Sequence, residues 1–272
     1  MLRWVYRAPK LARPGLTGPQ EGREMTRILL RADDLGYSEG VNCGLAWACD
    51  NGLPMSVGLM VNLPAARHGF ELIKHRDLCL GMHTTISAGK PVCDPASVSS
   101  LVDENGLFLP SDHYRQASED PADLADVERE AEAQYQAFIA LTGREPDYVD
   151  VHAVNSENFV LGARNVAERH GKPFSYLAGK NEIMLVGSLD VLLHGSTGNL
   201  GTLLDEVLAT DALADQPLVH ILMLHPGFVD AQLMRSSSLT IPRTVDAEIL
   251  RSTGLQELAS REDIELVTYR EL

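Results

Sequence analysis

From residue 26 onward, short apolar runs alternate with longer segments in which apolar and polar positions mix. That alternation predicts parallel strands joined by helices. Strands are predicted over 28–32, 57–62, 78–83, 148–152, 218–225 and 265–268, and helices over 40–50, 65–75, 121–141, 159–170, 201–210 and 245–261. The clearest helix is 121–141, rich in Glu and Ala, with acids near its start and Gly143 just past its end as a stop signal. Between 87 and 120 the pattern lapses into Gly, Pro, Ser and Asp with only short apolar stretches. A connection that long, following a histidine-bearing strand, is expected to be a lid or binding loop bordering a substrate. The section 172–198 has apolar patches at 183–186 and 191–193 whose order stays open. One domain is expected, because 272 residues suit a parallel α/β barrel of roughly 250 residues.

Composition narrows the partners. A net charge of −15 opposes binding to nucleic acid or to an anionic lipid surface, so a neutral or small-molecule substrate fits better. No run of about 18 apolar residues is available to span a membrane. Cys43, Cys49, Cys79 and Cys93 form no CxxC pair, which leaves free, buried thiols and a reducing, cytoplasmic home as the expectation. Residues 1–24 hold five Lys or Arg, three prolines and three glycines without a signal-peptide core, and are read as a disordered leader before a domain over 25–272.

The candidate chemistry lies at strand ends, where ligands bind in parallel α/β folds. Asp33 and Asp34 close the first apolar run, and later runs end in His83, His152 and His225. Asp34, His83 and His152 can supply one oxygen and two nitrogens to a catalytic divalent cation, with His225 in reserve. Adjacent side chains alternate along an ideal strand, so Asp33 and Asp34 divide their roles only if the strand breaks there, as Gly36 suggests. The competing reading is an Asp-Asp turn or helix cap. His225 precedes Pro226 and Gly227, which hold it at the strand end, suited to donate a proton near neutral pH. Asp150 shares a strand face with His152 and either orients a ligand histidine, contacts substrate or caps a turn. The other histidines, His68, His75, His113, His170, His194 and His220, are read as surface or structural.

Taken together, Ala32-Asp-Asp-Leu-Gly-Tyr-Ser38, Gly81-Met-His-Thr-Thr-Ile-Ser87, Asp150-Val-His152 and His225-Pro-Gly227 resemble the YdjC-like carbohydrate deacetylases. The order and spacing match from about Met25 to the C-terminus. The resemblance implies a distorted (β/α) TIM-like barrel and one divalent metal ion, Mg2+ or Zn2+, on Asp34, His83 and His152. It also implies Asp33 as general base, His225 as general acid or charge stabiliser, and a possible homodimer. The implied reaction is hydrolysis of an N-acetyl group from an amino sugar or oligosaccharide; another hydrolysed bond, or a non-catalytic binding role, are the alternatives. Many relatives carry an Asp-x-His-x-His-x-His run where this chain has Asp150-Val-His-Ala-Val-Asn-Ser156, so two of the three histidines are replaced by Val154 and Ser156. Asn155, Ser156 and Asn158 are then candidate polar contacts for a different substrate.

Overall fold

A computed structural model describes residues 25–154, 156–175, 182–186 and 218–272, the backbone alone for 182–186. The leader 1–24, the patch 191–193, the helix 201–210, Asn155 and His194 lie outside the described residues. The strands are β1 (Thr26–Leu35), β2 (Ser56–Leu59), β3 (Cys79–Thr84), β4 (Val149–Val151), β5 (Phe174–Ser175), β6 (Glu182–Val186), β7 (Val219–Leu224) and β8 (Ile264–Val267). The helices are α1 (Glu39–Ala48), α2 (Ala66–Ile73), α3 (Ser111–Gln116), α4 (Leu124–Thr142), α5 (Glu157–Arg169), α6 (Ala231–Ser236), α7 (Ile241–Leu250) and α8 (Thr253–Ala259).

All pairings are parallel, in the order β5-β4-β3-β2-β1-β7-β6. β1 is central: β7 runs along one edge from Arg27 to Ala32, while β8 (from Thr26 to Leu29) and β2 (from Arg31) share the other. In a flat sheet β1 and β5 would lie about 19 Å apart, four strand spacings. Yet Arg31 on β1 reaches Ser175 on β5 at 3.3 Å, so the sheet is curled. The result is the expected distorted (β/α) barrel in a single domain.

Alternation along β1 sets up the two layers. Ile28, Leu30 and Ala32 join the larger core between the strands and the helices. Leu29 packs inside with Cys79, Tyr148, Ile221, Val267 and Tyr269, an apolar floor for the barrel interior. Arg31 and Asp33, next on the same face, stand above that floor and are buried.

Two expectations change. The single helix 245–261 is two helices, because Ser252 ends α7 and its hydroxyl accepts from the Leu255 N–H to cap α8. The long connection 87–120, in which no helix is predicted, contains α3 and two 3-10 turns, and Val98, Leu101, Phe108 and Tyr114 form a cluster with Val127 and Phe159. Helix α4 anchors it, since Glu130 accepts from the N–H groups of Val92 and Cys93 while Gln134 pairs with both backbone groups of Thr85.

Gly36 ends the β1 turn with φ +98°, and a Cβ there would stand 2.6 Å from the Met60 carbonyl oxygen. G36A is expected to lower unfolding free energy by about 2–3 kcal/mol, from backbone strain and overlap together. Urea denaturation would contradict this if the midpoint did not move.

Candidate functional site

Between Ala32 and Leu35 the β1–β2 register slips: three steps on β1 face two on β2, from Val57 to Leu59. This bulge places Asp34 at φ +76°, a conformation most residues avoid. The strand break expected at this point therefore falls on Asp34 itself. It allows the carboxylates of Asp33 and Asp34 to serve different partners on one side of the sheet.

Asp33 is held by Arg31. The guanidinium donates from Nε to both carboxylate oxygens, at 2.9 and 3.0 Å, and from Nη2 to Oδ2 at 2.7 Å. The same Nη2 lies 2.7 Å from Asp150 Oδ2. Burial opposes ionisation of Asp33, yet Arg31 and then His83 hold its pKa below the ordinary carboxylate value. Asp150 in turn accepts from His83 Nδ1 at 2.8 Å, which turns Nε2 of that ring toward Asp34. The expectation that Asp150 orients a histidine thus holds for His83, its partner across the β3–β4 register.

Asp34 faces two ways. Its Oδ2 accepts from Arg243 Nη2 at 2.7 Å. Its Oδ1 lies 3.2 Å from His83 Nε2 and 3.1 Å from His152 Nδ1, and these two nitrogens are 3.3 Å apart. Oδ1 is buried and makes no hydrogen bond of good geometry with either ring. Ligand atoms 2.0–2.2 Å from one cation stand about 3.0–3.4 Å from each other in octahedral or tetrahedral geometry. Asp34, His83 and His152 therefore fit a divalent cation in both spacing and donor type. Asp33, His83 and Asp150 also cluster, but the Arg31 guanidinium already occupies an oxygen of each of the two carboxylates.

Electrostatics follow from the burial. Desolvation opposes the charge of Asp34, but Arg243 and His152 hold its pKa well below the usual range. Burial likewise opposes protonation of His83, and Asp150 and Asp33 more than reverse it, raising its pKa well above the ordinary value. For His225 burial wins over the attraction of Asp34 and Asp33, so its pKa is lowered. His225 follows β7, in which Leu224 pairs with Ala32, so it stands alongside the two aspartates.

All five predicted site residues converge on one end of the barrel. Three further residues join them. Arg31 had a signal in the sequence, since it precedes Asp33 by two and shares its face. Arg243 and Asp246, about 210 residues from β1 along the chain, had none. Ser156 and Asn158 are not free to meet a substrate. The Ser156 hydroxyl donates to Asp120, at 2.8 Å from each oxygen, and caps α5, while the Asn158 amide donates to the Ala122 carbonyl. Val154 is buried in the cluster under the long loop. Of the remaining histidines, His68 lies against Asn42, His170 stacks on Tyr135 beside Glu132, and His220 is buried.

The profile of the YdjC-like protein family matches residues 27–261. The chain belongs to that family. A carbohydrate deacetylase of Geobacillus stearothermophilus is 32% identical over 89% of this chain and 96% of its own. A chitooligosaccharide deacetylase of Citrobacter koseri is 31% identical over 85% and 94%. A crystal structure from Enterococcus faecalis V583, of a protein provisionally described as a cellobiose-phosphate cleavage protein, is similar with a TM-score of 0.78 at 25% identity, over 91% of this chain and 99% of that one. Among the described residues of this YdjC-like protein, no helix is long and apolar enough to cross a membrane.

Asp246 supplies a test of the buried charge. Its Oδ2 accepts the His225 backbone N–H at 2.8 Å, its Oδ1 has no partner, and burial pushes its pKa up to about 7. A carboxyl whose folded pKa is raised retains a proton that the unfolded chain has lost, so stability falls as pH climbs from about 4 to about 7. Asp246→Asn keeps the oxygen acceptor and cannot ionise. It is expected to gain on the order of 2 kcal/mol over the parent at pH 8 relative to the same comparison at pH 5. Urea unfolding of chelator-treated protein at the two pH values would refute this if the difference were independent of pH.

Proposed function

We propose that this protein is a metal-dependent hydrolase that removes an N-acetyl group from an amino sugar or an N-acetylated oligosaccharide. The observation that carries the reading is the convergence of Asp34 Oδ1, His83 Nε2 and His152 Nδ1 on one another, with Asp33 beside them and His225 on the neighbouring strand. The names of the Geobacillus and Citrobacter relatives support the carbohydrate and the acetyl group. Four free thiols agree with a cytoplasmic enzyme, and the acidic chain with a small, uncharged substrate.

Asp34, His83 and His152 would hold the cation, and two imidazoles favour zinc or another late divalent metal over magnesium. A divalent cation there would polarise the acetamide carbonyl and acidify a water molecule. The residues of the chain do the rest. Asp33, kept ionised and aimed by Arg31, takes a proton from the attacking water as the new C–O bond forms. His225 in its protonated form donates to the amide nitrogen as the C–N bond breaks. The products are acetate and a free amine. Asp33 thus gains one proton and His225 loses one, and exchange with solvent restores both.

Acetate release from N-acetylated mono- and oligosaccharides, by metal-stripped protein with and without added zinc or magnesium, tests the reading. The parent is expected to release acetate only with metal. D33N should retain metal and lose about 10²–10⁴ in kcat, as should His225→Ala, whereas His152→Ala should lose metal affinity as well. Release that is independent of metal, or undiminished in D33N, would sink the mechanism. Stoichiometric metal binding with no acetate from any sugar would point instead to another hydrolysed bond or to a binding role.

The lowered pKa of His225 adds a pH dependence. Its protonated form is the minority at neutral pH, so kcat/KM is expected to decline with rising pH through an apparent pKa below the free imidazole value of about 6.5. A flat profile from pH 5 to 8 would exclude His225 as the acid.

A further inference from the structure

Helix α7 approaches the site from outside the barrel and sends one side chain into it. Arg243 is 2% exposed and is the largest fully buried side chain among the described residues. Its Nη2 donates to Asp34 Oδ2 at 2.7 Å, its Nε donates to the Leu239 carbonyl at 2.9 Å, and its guanidinium lies 5.3 Å from the centre of the Tyr37 ring. The backbone is engaged too, as the Arg243 carbonyl accepts from the Gly227 N–H at 3.0 Å. One turn later Asp246 accepts from the His225 N–H. The same helix therefore grips Asp34 and the His225-Pro-Gly turn together.

The division of labour at Asp34 is the informative part. A carboxylate can hold a cation through one oxygen or through both. Here Oδ2 is committed to a charge-assisted hydrogen bond, and only Oδ1 faces the two histidine nitrogens. Resting on the metal reading above, we infer that Arg243 is a positioning residue that restricts Asp34 to a single ligating oxygen. An aspartate so restricted leaves a coordination position for substrate or water, and the Nε bond to Leu239 prevents the guanidinium from swinging away. Arg31 treats Asp33 in the opposite manner, taking both oxygens, so two buried arginines separate two adjacent carboxylates into different tasks.

The test is metal binding by the full chain, read without turnover. Zinc titration by calorimetry and the visible absorption of the cobalt(II) form are compared for the parent, Arg243→Met, Arg243→Leu and Arg243→Lys. In R243M the freed Oδ2 is expected to join the coordination, raising the coordination number and weakening the cobalt bands, with zinc affinity about 10–100-fold lower. R243K keeps one donor for Oδ2 and should recover part of both. If R243M fails to fold, R243L, which likewise offers Oδ2 no donor, is read by the same two measures. Parent-like affinity and spectrum in a folded Met or Leu variant would overturn the inference, as would lost affinity with an unaltered spectrum, the mark of a merely structural role. A parent that binds neither zinc nor cobalt would overturn the metal reading itself.

Discussion

Three carboxylates, those of Asp33, Asp34 and Asp150, are buried together above the apolar floor of the barrel, and everything nearby is arranged around the cost of that burial. Isolated ionised groups in a low-dielectric interior cost several kcal/mol each unless they are paired and hydrogen-bonded. Arg31 bridges two of them and Arg243 holds the third. Two guanidiniums against three carboxylates leave one negative charge over, and the raised pKa of His83 is the response to it. A proton on His83 and a divalent cation between His83, His152 and Asp34 are alternative ways to neutralise the same excess. On the proposed metal reading, cation binding would be linked to loss of that proton and would strengthen as pH rises.

Geometry carries a cost as well. Asp34 and Ala153 are the non-glycine residues at positive φ among the described residues, and each bears on a proposed metal ligand: Asp34 is one, and Ala153 follows His152. Such conformations cost on the order of 1–3 kcal/mol and persist only where neighbours over-determine them. At Asp34 the neighbours are Arg243 and the slipped β1–β2 register. At Ala153 the Val154 N–H returns to the His152 carbonyl at 2.7 Å, and Arg115 of the long loop donates to the Ala153 carbonyl. The site is therefore held from two sides, by α7 and by the loop that α4 anchors.

What could be read in the chain follows from how far each signal extends. β1, β2, β3, β4, β7 and β8 come within about three residues of their expected ends, because buried parallel strands are short, dense apolar runs. The two-residue β5 is too short to register as a period. Asp33, Asp34, His83, His152 and His225 were legible because parallel topology sends every strand end to one rim. Arg31 lay within reach of the same argument, by strand alternation. Arg243 and Asp246 were not, since their helix faces β1 only through tertiary packing, and a buried arginine leaves no mark in a local window. The helix pair α7 and α8 read as one because Ser252 is an N-cap signal inside an otherwise continuous helical pattern.

The departures at Val154 and Ser156 acquire a physical meaning once the loop is seen to be packed. Where the resemblance led to histidines, Val154 contributes to the cluster of Val98, Leu101, Phe108 and Phe159, and Ser156 ties Asp120 to the start of α5. Imidazoles at these positions would have to leave the cluster or stay buried with polar nitrogens to satisfy. On the β4 side Val154 and Ser156 therefore serve to anchor the loop and the start of α5. The docking of 85–123 and the geometry of the two adjacent aspartates thus rest on separate contacts: one on α4 and the start of α5, the other on the β1 bulge and its two arginines.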